Sequence, residues 1–430
     1  MSSRSTASRW RSRDFCRASG GSSCGRRRPP TLCQRALWGA CVSDLSAFRE
    51  EAEAFMKAAA PAALVGARKG RFDGFWGGRV HAGSDAELAW RDAMVEKGWT
   101  APTWPKAYGG GGLAKDEARI IEQLLEELQL PPPVVGFGLA MIGPTLLDYG
   151  TEAQKSQHLP GITRGEIRWC QGYSEPGAGS DLASLSCQAA DEGDHFVING
   201  QKVWTSHADK SDWIFCLVRT GPKEPKRAGI TFLLIDMASP GVTARPIPLI
   251  SGSSPFCEVF FDEVRVPKAN VIGSVNEGWP IAKALLGYER GMIGEAMGGE
   301  LVGVEATLAK SRAEALRAPG RRESLARWAM EERCFRVTLE RIAQQMKAGQ
   351  NPGTLSSIMK VVGSELKQQR WQLEMDLAGP EGLGWSGESF AAEDLDITRE
   401  WLRSRGNSIE GGSTEIQLNI IATRVLGLPR

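Results

Sequence analysis

The sequence predicts a multi-domain α+β protein in which a helical, a β-rich and a second helical region follow one another. Helix-period apolar patterns lie between residues 44 and 130, and β-rich runs separated by turn residues lie between 195 and 266. Helical period returns after Trp279. A hydrophobic content of 42% and a charged content of 24% are ordinary for folded domains and exclude a disordered or collagen-like chain. The expected regions are 1–43, 44–167, 168–274 and 275–430.

Residues 1–43 are expected to be a disordered leader, because a segment so rich in Arg, Ser and Gly cannot bury a core. The leader contains nine Arg and one Asp, whereas acidic residues outnumber basic ones in the rest of the chain. The alternative is an organelle transit peptide. We therefore expect a cytoplasmic protein, with the organellar matrix as the alternative, and the acidic body indicates no nucleic-acid partner.

Cysteine and histidine usage indicates reduced thiols and no metal site. The nine Cys form no CxxC pair and the chain has only four His, so the ligand sets of structural zinc sites are absent from the sequence. Apolar runs of about 18 residues are also absent, which argues against a membrane span.

Two helices are expected before the β-rich region. Residues 44–64 place apolar side chains on one side of a helix, and a second helix runs from Lys115 to Leu130, where Pro131 follows. The apolar positions of the first helix are Leu45, Phe48, Ala52, Phe55 and Met56.

The middle of the chain has the pattern of antiparallel β structure, because its strand-like runs follow one another at short spacing without intervening helices. Asn199–Gly200 lies inside the run His195–Trp204 and predicts a hairpin turn. The other expected strands are Trp213–Arg219, Gly229–Met237, Val242–Leu249 and Cys257–Val266. Helices are expected at 279–316, 321–348, 353–377 and 393–405, with a last one from Thr414.

A dense Gly- and Pro-containing run, Trp169–Asp181, is the first candidate site. Its Gly and Pro residues predict a tight loop with exposed backbone N–H groups, to which Ser174 and Ser180 add hydroxyls. Such a loop suits a polar heteroaromatic ring or a phosphate-bearing ligand. A plain turn is the alternative interpretation.

Three separate motifs, in order along residues 44–430, resemble those of the FAD-dependent acyl-CoA dehydrogenases. The residues of the first and third motifs most resemble those of bacterial pimeloyl-CoA dehydrogenase large subunits. The motifs are Trp169–Asp181 with Gly200–Ser206, Val259–Pro267 with Gly278–Trp279, and Glu410–Gln417 with Val425–Gly427.

This resemblance implies an N-terminal helical domain, a central antiparallel β-barrel and a C-terminal four-helix bundle, with FAD between the last two. It also implies α,β-dehydrogenation of an acyl-CoA thioester to a trans-2-enoyl-CoA, with electrons passed to an electron-transfer flavoprotein. A homo- or hetero-oligomer is implied as well, in which a neighbouring subunit helps to bind FAD.

Four residues of the first motif receive roles from the resemblance. Ser174 would bond the pyrimidine edge of the flavin, Trp204 would pack on the flavin, and Ser206 would lie near its N5 atom. Ser180 would lie where cofactor and the CoA part of the substrate approach. The residues alone leave core packing in a hairpin as an alternative for Trp204.

The third motif contributes Ser413 and Glu415, which align with positions that touch the cofactor. Helix capping is the alternative for this segment, because Thr414 and Gln417 have the spacing of a capping box.

The reaction needs a carboxylate base, and Glu289 is the first candidate. The resemblance includes members with a Glu directly before an Arg on the helix after the β-domain, here Glu289–Arg290, and Arg290 is expected to contact substrate. Glu289 lies on an apolar helix face, where loss of water should raise a carboxyl pKa towards that of a general base. A structural pair with Arg290 or another Arg is the alternative. The apolar neighbours at helical spacing are Leu285, Leu286, Met292 and Ile293.

The commoner position of the base in the resembling family falls here on Gly411. Glu410 lies one residue earlier, and a shift of one residue in a turn should direct its carboxylate elsewhere. Glu410 therefore remains the second candidate, while Gly411 could still donate its backbone N–H to the thioester oxygen.

One element typical of the resembling family is missing. An Arg-x-x-Phe-Gly sequence that reaches a neighbouring subunit's FAD is not found around residues 305–345. This motivates an alternative function, a catalytically silent or partner-dependent subunit of a heteromeric dehydrogenase. Other flavin chemistry, monooxygenation or oxidase turnover, is a third possibility, against which the retained Glu289 argues.

Overall fold

The computed structural model describes residues 32–68, 74–79, 83–301, 304, 308, 312–348, 355–387 and 389–429, with backbone alone at 32–44, 290–301, 346–347 and 393. Contacts divide the chain into two units, Met1–Phe48 and Arg49–Arg430. Helix α1 spans Leu32–Ala59, so residues 32–43, expected to be disordered, are helical. Residues 1–31 of the expected leader lie outside the described residues.

Short helices precede the sheet, and α3 lies close to its expected position. Ser84 caps α2 by accepting from the N–H of Glu87, and the buried indole of Trp90 donates to the carbonyl of Pro131 at 3.0 Å. This bond holds α2 against Pro131, in the proline-rich loop that follows α3. The helices are α2 (Asp85–Glu96), α3 (Lys115–Glu127), α4 (Gly143–Tyr149) and α5 (Glu152–Thr163).

One eight-stranded sheet forms the middle of the chain. Its strand order is β6-β7-β3-β2-β4-β5-β8, with β1 paired to β4. The strands are β1 (Trp169–Gly172), β2 (Gln188–Asp191), β3 (His195–Ser206), β4 (Trp213–Arg219), β5 (Ile230–Asp236), β6 (Val242–Ile247), β7 (Phe256–Pro267) and β8 (Val271–Ile272).

Three expectations about this sheet need correction. Within the described residues β6 and β8 remain the two ends of the sheet, so the expected barrel is not closed. The sheet is mixed, because β1 and β2 both pair with β4 in parallel. The hairpin turn expected at Asn199–Gly200 is wrong, since β3 runs continuously from His195 to Ser206.

The geometry around Gly200 explains the missing turn. Asn199 accepts from the backbone N–H of Glu263 at 2.9 Å, where β7 is irregular and Glu263 has a φ of 51°. A Cβ atom on Gly200 would lie 2.8 Å from the Cα atom of Cys187. Close packing of Cys187, directly before β2, against β3 therefore requires glycine here, and not a reversal of the chain.

Strand β4 separates two hydrophobic cores, because its alternate side chains point to opposite faces of the sheet. Phe215 and Leu217 pack with the N-terminal helices and the helix after the sheet, whereas Ile214 and Cys216 pack inside the curved sheet. All four side chains are fully buried. Packing in both cores fixes the position of β4, and pairing with β4 fixes the position of β1.

The C-terminal region is helical, at bounds close to those expected except for its first helix. That helix was expected at 279–316, but residues 312–317 form a turn and a short 3-10 helix instead. Helix α8 contacts α6, α7, α9 and α10, and its Leu366 carbonyl accepts from the buried indole of Trp328 at 3.0 Å. The helices are α6 (Gly278–Leu301), α7 (Pro319–Lys347), α8 (Leu355–Ala378), α9 (Ala392–Ser404) and α10 (Thr414–Ile420).

Candidate active site

The loop after β1 is held by a buried ion pair. Glu175 accepts from Lys202 of β3 at 2.6 Å, and the same carboxylate accepts from the backbone N–H groups of Ser186 and Cys187 at 2.7 and 2.9 Å. Burial alone raises the pKa of Glu175, but these partners outweigh it and lower the pKa. The pair fixes the Ser174–Ser180 loop on β3.

Trp204 lies at a β-bulge beside this loop. Between Lys202 and Thr205 the register of β3 against β7 shifts by one residue, and Trp204 takes a φ of 60°. A positive φ is rare for a bulky residue and marks a special position. The indole is 56% exposed and packs edge-on against Phe256 at 6.1 Å. Core packing of Trp204 is therefore excluded.

The three serines of the first motif differ in their contacts and in their exposure near the bulge. The carbonyl of Ser174 accepts from Val203 N–H at 2.9 Å, which joins the loop to the strand directly before Trp204. Ser174 and Ser206 are half-buried, and neither hydroxyl has a hydrogen-bond partner in the described part of the chain. Ser180 is exposed, next to Asp181, which pairs with Lys226 at 2.7 Å.

Glu289 lies on α6 and faces β1. Leu285, one turn earlier on the same helix face, is fully buried in the core on this side of the sheet. The half-buried Glu289 carboxylate accepts from the side-chain amide of Gln171 on β1, with 3.2 Å between Nε2 and Oε2. The side chains of Met292 and Ile293, also expected on this face, lie outside the described residues, as does that of Arg290.

Tyr173, directly after β1, is a second polar residue in the core on this side of the sheet. Its side chain is 5% exposed, and its hydroxyl has no hydrogen-bond partner among the described residues. Burial and, to a smaller degree, the negative charge of Glu289 raise the pKa of the Tyr173 phenol well above its ordinary value. Gln171 and Tyr173, two residues apart, thus place two donors near the Glu289 helix.

The third motif forms a tight turn at the start of α10. Gly411 and Gly412 have φ angles of 63° and 94°, which favour glycine over a residue with a long side chain. Ser413, not Thr414, is the capping residue, and its hydroxyl accepts from the N–H of Ile416 at 3.4 Å. Gln417 donates to the carbonyl of Gly411 at 3.3 Å, and Glu415 is exposed.

Glu410 is bound in a surface cluster rather than free. Arg403 of α9 donates to its carboxylate at 2.8 Å, and Asn407 donates to the same carboxylate. The Arg403 guanidinium also lies over the ring of Phe256, 5.3 Å from its centre. Because Phe256 contacts Trp204, this cluster brings the third motif beside the exposed indole.

Three residues of this arrangement were missed by sequence reasoning. Gln171 lies in the first segment of the first motif, but its amide has no distinctive chemistry. Lys202 lies in the second segment of that motif. Arg403 lies outside all three motifs, so no local sequence pattern predicted its contacts with Glu410 and Phe256.

Comparisons with known families agree with the order of these regions. Family models of the acyl-CoA dehydrogenase N-terminal, middle and C-terminal domains match residues 43–166, 170–264 and 276–426. The chain belongs to the acyl-CoA dehydrogenase family. It is thus an oxidoreductase family member acting on CH–CH bonds, with FAD as cofactor.

Similar proteins support this assignment. Acyl-CoA dehydrogenase IpdE1 of Mycobacterium tuberculosis is 38% identical over 358 residues, which cover 82% of this chain and 91% of the relative. The solved structure of the Tcur3481-Tcur3483 steroid ACAD is 29% identical, with a TM-score of 0.70 over 90% of this chain and 98% of the other. The ChsE4-ChsE5 complex from Mycobacterium tuberculosis is 27% identical, with a TM-score of 0.69 over 90% and 98%.

The residues of this dehydrogenase fit a flavin. An exposed indole at a bulge provides a flat surface. Ser174 and Ser206, whose hydroxyls have no partner among the residues that the structure describes, lie on the two segments that flank it. An aromatic face and free donors are what a polar heteroaromatic ring requires.

Two further features concern the described residues alone. None of their helices combines the length and apolar character needed to cross a bilayer. Within the same residues, His, Cys, Asp and Glu side chains form no group of three that could hold a metal ion.

Proposed function

We propose that this protein removes two hydrogens from an acyl-CoA thioester to give a trans-2-enoyl-CoA, with Glu289 as the base. The observation that carries the proposal is the position of Glu289. It is a half-buried carboxylate held by Gln171 on the strand that leads directly into Ser174.

The reaction divides into a proton and a hydride. FAD, when bound, supplies the acceptor for the hydride from the β-carbon. Glu289 accepts the α-proton, which is weakly acidic and needs a nearby basic group. Ser174, Trp204 and Ser206 would hold the flavin, and Ser413 and Glu415 would contact it from the third motif.

The thioester carbonyl must also be polarised, because negative charge develops on its oxygen as the proton leaves. A backbone N–H serves without any side chain, so Gly411 remains a candidate donor. Ser180 and Arg290 are proposed to contact the CoA substrate, and electrons are proposed to leave to an electron-transfer flavoprotein.

Glu410 is the weaker candidate for the base. Its carboxylate already accepts hydrogen bonds from Arg403 and Asn407, which hold it within the cluster at the turn. We infer that Glu410 fixes the turn of the third motif instead.

The proposed reaction is tested by anaerobic mixing of the purified flavoprotein with straight-chain, ω-carboxyl and steroid-bearing acyl-CoAs. We expect one class to bleach the flavin band and to yield a product two hydrogens lighter, unsaturated between its α- and β-carbons. A flavoprotein that no acyl-CoA bleaches contradicts the proposed function.

A second candidate is a subunit that depends on a different chain. Two similar solved structures are named as pairs of components, Tcur3481-Tcur3483 and ChsE4-ChsE5. The Arg-x-x-Phe-Gly element is also missing from residues 305–345. FAD per chain, measured together with mass by light scattering, tests this: one FAD per chain in a homo-oligomer contradicts partner dependence, and substoichiometric FAD supports it.

A further inference from the structure

We propose that Gln171 is a positioning residue for Glu289: its side-chain amide donates to the carboxylate and sets its position for proton transfer. The inference rests on the proposed role of Glu289 as base. It is carried by the 3.2 Å contact between Gln171 Nε2 and Glu289 Oε2.

Both ends of this contact are fixed by packing. Gln171 lies on β1 opposite Phe215 of β4, and Phe215 is fully buried. On the other side, Ala282 and Leu285 anchor α6 in the same core, at 1% and 0% exposure. A hydrogen bond between two anchored elements sets the plane of the carboxylate with little freedom.

The chemistry of an amide suits a base better than that of a guanidinium. A neutral N–H donor orients a carboxylate by a hydrogen bond without a full positive charge, so the carboxylate keeps its ability to take a proton. Gln171 donates to the Oε2 atom of Glu289, so the contact places the carboxylate from which we expect proton transfer.

The strand also links the base to the flavin side of the site. Gln171 precedes Ser174 by three residues, and the Ser174 carbonyl is bonded to Val203 beside Trp204. A carboxylate held by Gln171 is therefore placed relative to the proposed flavin surface. Misplacement of a reacting group by about 1 Å lowers rates by about a hundredfold, so such a link matters for catalysis.

The test compares two replacements of Gln171. Gln171→Met keeps the length and removes the donor, whereas Gln171→Glu keeps the shape and places a second carboxylate against Glu289. We expect the limiting rate of anaerobic flavin reduction to fall by about tenfold or more in Gln171→Met, because a hydrogen bond to a charged group is lost. Gln171→Glu should be slower still.

Which of the two variants reduces the flavin more slowly distinguishes a positioning role of Gln171 from a packing role. If Gln171 only filled space, Gln171→Glu would be the milder change, since Glu has nearly the shape of Gln. Substrate dissociation constants and FAD content should stay within about twofold of wild type, because the lost bond acts on orientation. Gln372→Leu is the matched control: it removes a Gln–carboxylate contact of 3.1 Å to Asp376 on α8 and should leave the rate unchanged.

A second readout needs no turnover. The carboxylate stretching band of Glu289, identified by infrared difference against Glu289→Gln, should shift in Gln171→Met and stay in place in Gln372→Leu. An unshifted band, or wild-type rates in both Gln171 variants, overturns the inference. If wild type reduces no flavin with any acyl-CoA, the proposed function fails, and the infrared band alone then decides whether Gln171 holds Glu289.

Discussion

The Nζ atom of Lys202 lies 2.6 Å from the Oε1 atom of Glu175, with both side chains almost completely buried at 0% and 5% exposure. Lys202 also donates to the carbonyl of Tyr173 at 3.2 Å. The ammonium thus joins β3 to both ends of the segment that carries Ser174. A buried charge pair between the loop and β3 therefore holds the loop of the first motif in place.

We predict that Lys202→Met lowers the free energy of unfolding by about 3–5 kcal/mol, because it leaves Glu175 buried without its countercharge. Chemical denaturation measures this loss. Lys226→Met is the control, since it breaks an exposed pair with Asp181 in the same loop, and it should lower stability far less than Lys202→Met does. Equal effects of the two variants would contradict the prediction.

His158 makes stability dependent on pH. Its side chain is 1% exposed between Trp169 and Trp213, with ring centres 5.2 and 4.8 Å away, and burial lowers its pKa to about 4. Because the folded protein favours the neutral imidazole, this stability is present above the unfolded pKa of about 6.5 and is lost as pH falls through 4.

The expected size of this loss is about 3 kcal/mol between pH 6.5 and pH 4, from about 1.4 kcal/mol for each pH unit. Unfolding measured across this range in wild type and His158→Phe isolates the contribution of the imidazole. The variant should lose less stability on acidification than wild type. Identical pH dependence in both proteins would show that His158 does not titrate in this way.

Trp204 should contribute to FAD binding and little to folding. We predict that Trp204→Ala weakens FAD binding by about tenfold or more, because ring stacking and the apolar area of an indole are lost. Thermal stability without FAD should change little, since the indole is 56% exposed. Trp385→Ala, which removes an indole 42% exposed in the segment between α8 and α9, is the control for FAD titration. Equal FAD affinity in wild type and Trp204→Ala would remove Trp204 from the proposed flavin surface.

Sequence patterns located the strands and helices whose limits are set locally. Strand β4 matches its expected bounds of Trp213–Arg219, and α3 starts at Lys115 as expected. The turn at Asn199–Gly200 was wrong because pairing of β3 with the distant β7 overrode a local preference. The open ends of the sheet likewise depend on long-range pairing that periodicity does not encode.

In the candidate site, too, local spacing predicted some features, whereas others depend on contacts between residues far apart in the sequence. The apolar neighbours of Glu289 could be derived from helical spacing, and the burial of Leu285 confirms that part of the pattern. The contact with Gln171 joins residues 118 positions apart, so no local pattern contains it. The pairing of Glu410 with Arg403 depends on where α9 ends, which spacing alone did not specify.

The central claim is that Glu289, rather than Glu410, takes the α-proton. The most direct measurement is anaerobic stopped-flow absorbance of the flavin band in wild type, Glu289→Gln and Glu410→Gln, mixed with the acyl-CoA that bleaches wild type fastest. We predict at least about a hundredfold slower bleaching in Glu289→Gln, because general base catalysis is lost, and a rate near wild type in Glu410→Gln. Bleaching that persists in Glu289→Gln and is lost in Glu410→Gln would contradict the account and assign the base to the third motif.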